Sequence, residues 1–178
     1  MRFGKFEDVI VTLKCDDADE GGKTRFTLRP LTGPQLAEAR AAAGSMPWRG
    51  KRVIDEVNSA VADTEETARK AAGVDGKTPI SDLPQSARDG IGKMCARVQT
   101  EAFAELDPAD VEAADLAGVW MARLNLEFAV RALVAVDGAA VTDAAATLAS
   151  VQPASLYASV VSELASHVSR LSETDPKV

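Results

Sequence analysis

Two strings in the chain set a glycine, a lysine and a threonine side by side, Gly22-Lys23-Thr24 and Gly76-Lys77-Thr78. That is how a phosphate-binding loop ends. Such a loop also needs an earlier glycine, five residues ahead, so that backbone N–H groups can wrap the phosphates. Those positions hold Asp17 and Ala71. The first string runs into strand-forming residues beneath a cluster of acids, and the second runs into Pro79, so both read as turns. A calcium loop fares no better. With Asp17 and Asp19 as first and third ligands, Gly21 is fifth, Gly22 sixth and Leu28 twelfth, where a bidentate Glu is required. The segment reads as a solvated hairpin loop. His167 is the only histidine and has no clustered His or Cys with which to build a triad or a zinc site. It is expected on the surface. The acids of Asp107–Asp115 open a helix, where the dipole explains them without acid–base catalysis. Cys15 and Cys95 lie far apart with no CxxC and are expected as free thiols in a reducing cytosol. No residue is assigned to catalysis, to a cofactor or to a metal, and the expectation is a protein that is not an enzyme.

What remains is binding. Trp48-Arg49-Gly50-Lys51-Arg52 is the one basic cluster with an aromatic and could touch a phosphate or stack a base. The chain carries 27 acids against 20 bases, a net charge of −7, which repels phosphate backbones. The cluster therefore reads first as a solvated turn with Trp48 folded onto the core, and no nucleic-acid partner is expected. The last helix carries a clean stripe, Leu156, Val160, Val161, Leu164, Val168 and Leu171. It reads first as core and second as a surface docked into a client. The candidate partner-binding residues are Trp48, Leu156, Tyr157, Val160, Val161 and Leu164.

The elements that position these residues follow from pattern. Asp8–Lys14 is β-branched and Thr24–Arg29 alternates with period two, so the two form a hairpin that Pro30 stops. A lone hairpin is marginal in water and must lie on the helices. Thr32-Gly33-Pro34-Gln35 is a capping box that opens a helix ending at Gly44. Pro47–Gly50 reads as a turn, 51–72 as a polar helix, and Pro84 as the start of another with the stripe Ala87, Ile91, Met94/Cys95, Val98 and Ala102. Asp107-Pro108 starts a long helix running to Val136, apolar nearly all round and so expected in the middle of a bundle. Asp137-Gly138 ends it. Thr142 is expected to cap a short helix to Ala149, and Pro153 opens the last.

Hydrophobic residues make up 46% but aromatics only 4%, and Ala richness favours helix. The expected fold is mainly α with minor β, an N-terminal β-hairpin packed on a multi-helix bundle. One domain is expected over 1–172 (hairpin portion 1–31, helical portion 32–172), with a flexible tail at 173–178. No signal peptide and no apolar run near the ~20 residues of a membrane span is present, so the expected compartment is the cytoplasm.

Phe26-Thr27-Leu28-Arg29-Pro30-Leu31-Thr32-Gly33, followed by a helix with Leu36-Ala37-Glu38-Ala39, resembles the N-terminus of tail assembly chaperones of long-tailed phages and prophages. The apolar stretch Leu124 to Gly138 and the closing helix Pro153 to Leu171 agree in order and spacing. The resemblance implies a small helical protein of the host cytoplasm that keeps the tape measure protein soluble while tail tube protein polymerises around it. It supplies no catalytic residues. Two other binding roles compete, a minor structural tail or connector protein of the virion and a helical adaptor or regulator.

Overall fold

A computed structural model describes residues 7–16 and 22–173. Its fold is mainly α with a small antiparallel sheet. Packing divides the chain into two compact units, one made of residues up to Ser45 together with those from Val119 onward, the other of Met46–Gly118. Linear reading of a domain over 1–172 gives no sign of this division, because the first unit is built from both ends of the chain.

The first unit holds the sheet. β1 (Val9–Thr12) and β2 (Arg25–Leu28) pair antiparallel, Val9 with Leu28 and Val11 with Phe26, and alternation turns Phe26 and Leu28 inward. β2 then pairs with β3 (Leu133–Val136), and β3 with β4 (Ala139–Ala140). The β portion is therefore not confined to 1–31. The helix expected to reach Val136 stops at Ala132, and Leu133–Val136 leaves it as a strand. Two causes act there. Val134 and Val136 are β-branched, and Asp137-Gly138 is a two-residue hairpin turn with both φ positive, 48° and 81°. The Arg29 N–H donates to the Ala132 carbonyl at 2.8 Å and so satisfies one of the orphan acceptors where the helix ends.

Four helical pieces complete this unit. α1 (Gly33–Ala43) begins as expected, with the Thr32 N–H donating to Gln35 Oε1 at 2.9 Å. α2 (Trp48–Ala71) and α3 (Gln85–Ala104) belong to the other unit. α4 (Pro108–Ala132) is divided at Gly118 and gives its later half here. α5 (Ala144–Ala149) is capped by Asp143, whose carboxylate accepts the Ala146 N–H at 2.9 Å, rather than by Thr142. α6 (Tyr157–Glu173) closes the unit after a short 3-10 turn. Leu13, Phe26, Leu28, Trp120, Leu124, Phe128, Leu148, Leu164 and Val168 form its core. The Trp120 indole N–H donates to the Gly44 carbonyl at 2.9 Å, so the one polar atom of that ring is satisfied.

The second unit is thinner. α2 and α3 pack along each other over a small cluster of Ala68, Leu83 and Ile91. Arg69 is buried yet paired, to Glu65 at 2.7 Å and to the Thr78 carbonyl at 2.7 Å. α2 begins three residues earlier than expected, so Trp48, Arg49 and Gly50 form its first turn rather than a loop. Among the described residues no helix is long and apolar enough to cross a membrane.

Candidate partner-binding surface

The start of α2 is fixed from below. Gly50 is buried so close to α4 that a Cβ added there would lie 1.8 Å from the Ala113 carbonyl oxygen. Only glycine permits that approach. One residue earlier, the Arg49 guanidinium donates to Asp110 Oδ1 at 2.6 Å and lies 3.7 Å from Asp107. With Arg49 and Gly50 facing α4, Trp48 is turned outward and is 73% exposed. The expectation that it folds onto the core is overturned: the backbone contact at Gly50 sets the rotation of α2 and leaves the indole in solvent. Lys51 pairs with Asp55, and Arg52 lies 3.7 Å from Glu56. All three cations beside the indole thus sit against carboxylates, which lowers the positive potential a phosphate would meet.

The half of α4 that packs on Gly50 also presents apolar side chains to water. Leu116 is 55% exposed, and Val111 is exposed one and a half turns before it. Met46 and Phe103 are exposed in the same unit. A helix read as apolar all round, and so assigned to the middle of a bundle, in fact leaves much of its apolar surface uncovered. Farther along α4, Val119 and Met121 are exposed on the first unit. Isolated apolar side chains on a surface are ordinary. A tryptophan nearly three-quarters in water is not, since it is the residue with most to gain from cover.

The terminal helix gives a different answer. Val160, Val161 and Leu164 are buried in the core of the first unit, Leu164 completely. They cannot meet a partner without unfolding α6, so these three leave the candidate surface. Leu156 and Tyr157 are half-buried against that core. The stripe is core, as its first reading had it, and of the candidate residues only Trp48 stands free. Leu116 escapes a linear reading, because a helix apolar nearly all round belongs inside a bundle. The signal that could have found the surface is the small-residue spacing Ala113…Ala117 opposite a glycine, which lets two helices close and pushes their larger neighbours outward.

The chemistry-bearing strings have structural roles. Lys77 N–H donates to Asp75 Oδ1 at 3.1 Å, and the Thr78 carbonyl is held by Arg69, so Gly76-Lys77-Thr78 is a clamped turn. Gly22-Lys23-Thr24 leads into β2, with the Thr24 N–H on Asp16 Oδ2 at 2.8 Å. Asp17, Asp19 and Gly21, three of the residues weighed as calcium ligands, lie outside the described residues. His167 is half-buried on α6 rather than exposed.

Cys15 borders a cavity of about 250 Å³ in the first unit, floored by Leu13, Phe26, Leu148 and Val160. That is smaller than the roughly 300–1,000 Å³ of ordinary ligand pockets. Burial, followed by the nearby Glu163 carboxylate, pushes the Cys15 thiol up, away from the thiolate a nucleophile requires. Glu163 accepts the N–H groups of Lys14 at 2.6 Å and Cys15 at 3.1 Å, and so ties the end of β1 to α6.

The three stretches that carry the family resemblance all fall in the first unit, where β2 pairs with β3 and Arg131 lies 3.6 Å from Glu38. No protein-family model, no curated protein and no solved structure matches this chain.

Proposed function

We propose that the protein is a tail assembly chaperone of a long-tailed phage, acting in the host cytoplasm. It would hold the tape measure protein soluble by covering apolar faces of that protein's helices. The observation that carries this reading is Trp48, a large apolar side chain held 73% exposed on a helix whose rotation is fixed by Gly50 and Arg49. Burying such a side chain is worth about 2 kcal/mol. Leu116 adds a second apolar contact from the same unit. The residues that resemble the chaperone family build the first unit, which serves as the frame, and the second unit offers the client surface.

The mechanism needs no turnover. Apolar burial drives capture, and a net charge of −7 keeps the loaded complexes apart. Tail tube protein then displaces the chaperone by competing for the same helices, without nucleotide.

Co-expression with tape measure protein tests the reading. The wild-type chain keeps the client in the soluble fraction and co-purifies with it, and ATP changes neither result. Trp48→Ala raises the dissociation constant about 30-fold, the equivalent of about 2 kcal/mol. Clients equally soluble with the Trp48→Ala, Leu116→Asp double variant, or aggregating beside the wild type, refute the proposal.

A further inference from the structure

The sheet runs in the order β1-β2-β3-β4, which leaves two edges. Edge strands expose unpaired N–H and C=O groups, and proteins guard them with charge, proline, bulges or extreme shortness. The β4 edge is guarded by shortness, having two residues. β1 has none of these protections. Its four residues, Val9-Ile10-Val11-Thr12, are all β-branched and uncharged, and the irregularity in the sheet lies between Thr27 and Leu28, away from it. Ile10 is 66% exposed on the outer face, in one row with Thr27 and Ala135. Among the described residues no strand lies beside the free edge of β1.

From this edge we infer that β1 pairs antiparallel with β1 of a second copy, with Ile10 opposite Ile10 on the two-fold axis. The register follows from sheet geometry. Residues directly opposite each other point to the same face, so Val9 can meet Val9, Val11 can meet Val11, or Val9 can meet Val11; only the last sets the exposed Ile10 against an apolar partner rather than Asp8 or Thr12. Ile10 then meets itself, and Asp8 meets Thr12. The two exposed isoleucines cover each other's flanks, removing part of each from water. Charge agrees with direction: Glu7 and Asp8 precede the strand and Lys14 follows it, and since Asp8 is bonded to Arg29 of its own chain at 2.8 Å, Glu7 is the acid that acts across the axis. Antiparallel pairing sets the acidic end of one strand against the basic end of the other, whereas parallel pairing aligns like charges. The result is one continuous sheet across two copies. It is a small interface, below the roughly 1,600 Å² of a standard one, so the dimer forms in a concentration-dependent way. This inference does not rest on the client proposed above.

Sedimentation velocity on the full chain over a concentration series tests it. The wild type shifts from monomer to dimer as concentration rises. Ile10→Lys, at a position open to solvent, places like charges on the axis and remains monomeric with unchanged circular dichroism and melting. Cross-linking reads the register in a Cys15→Ser, Cys95→Ser background. Ile10→Cys oxidises to a linked dimer at least about tenfold faster than Thr12→Cys, whose two copies stand some 13 Å apart, beyond disulfide reach. A wild type that stays monomeric throughout overturns the inference, including the case in which the edge serves another protein. So does a dimer that survives Ile10→Lys, or equal cross-linking at the two positions.

Discussion

Gly50 and Gly90 are the same residue type on neighbouring helices of one unit, yet substitution at the two should have opposite signs. At Gly50 an added methyl meets the Ala113 backbone, which cannot move without shifting α4, so Gly50→Ala is expected to destabilise by about 2–3 kcal/mol. At Gly90 nothing lies within 4 Å, and alanine gains only its better helix propensity, about 1 kcal/mol of stabilisation. Urea unfolding of both variants checks this pair. Opposite displacements of the midpoint are expected, and two shifts of the same sign would show that α2 and α4 are not in backbone contact.

Glu163, which ties the end of β1 to α6, makes the fold sensitive to pH. Burial alone would raise its carboxyl. The N–H groups of Lys14 and Cys15, helped by the Cys15 thiol and the positive field of His167, outweigh burial and leave it below the ordinary carboxylate value. A group depressed in the folded state contributes stability above its unfolded value, and that contribution is lost as pH falls through the folded one. The wild type should therefore weaken on acidification below the ordinary carboxylate range. Glu163→Gln should be less stable at neutral pH by about 1–3 kcal/mol, and should lose less than the wild type on going to acid. Urea midpoints for both proteins at neutral and acid pH would reveal the difference as a flatter profile for the variant.

At the scale of elements, the sharpest difference between sequence pattern and structure is the end of α4. Leu133 to Val136 continues an apolar run, and by hydropathy alone the run is one helix. The information that ends it is in Asp137-Gly138, which reads equally as a helix stop and as a two-residue hairpin turn. Only the second requires strands on both sides. β2, with Phe26 and Leu28 on one face, lay more than 100 positions earlier awaiting a partner, and no local pattern links the two. The capping box at Thr32, the helix starts at Pro34, Pro84 and Pro108, and the core stripe of α6 were legible because each depends on neighbours in sequence. The exposure of Trp48 was not, since the contact that decides it joins Gly50 to Ala113. The turn reading carries its own test. Gly138 has φ of 81°, a region that costs other residues roughly 1–2 kcal/mol. Gly138→Ala should lower stability by that amount, and a neutral effect would mean that β3 and β4 are not joined by this turn.

At the scale of the whole molecule, the proposed client surface and the unit proposed as its frame are separable in sequence. Every residue of the larger core lies at or before Ala43 or at or beyond Trp120, and the smaller core lies wholly between Ala68 and Ile91. The two chain ends created by removing Met46–Gly118 lie near each other, because the Trp120 indole donates to the Gly44 carbonyl at 2.9 Å. A flexible Gly/Ser bridge of about six residues spans such a gap. Joined in this way, the first unit should fold alone. It would keep Trp120 as its only tryptophan, so cooperative loss of the near-ultraviolet indole signal on heating reports its tertiary structure directly. The same protein lacks Trp48 and Leu116 and should no longer hold a client, although it retains every stretch resembling the chaperone family. A folded deletion that still keeps tape measure protein soluble would move the client surface to the first unit, where Val119 and Met121 are the remaining exposed apolar side chains of α4. A deletion that fails to fold would make the second unit part of the frame instead.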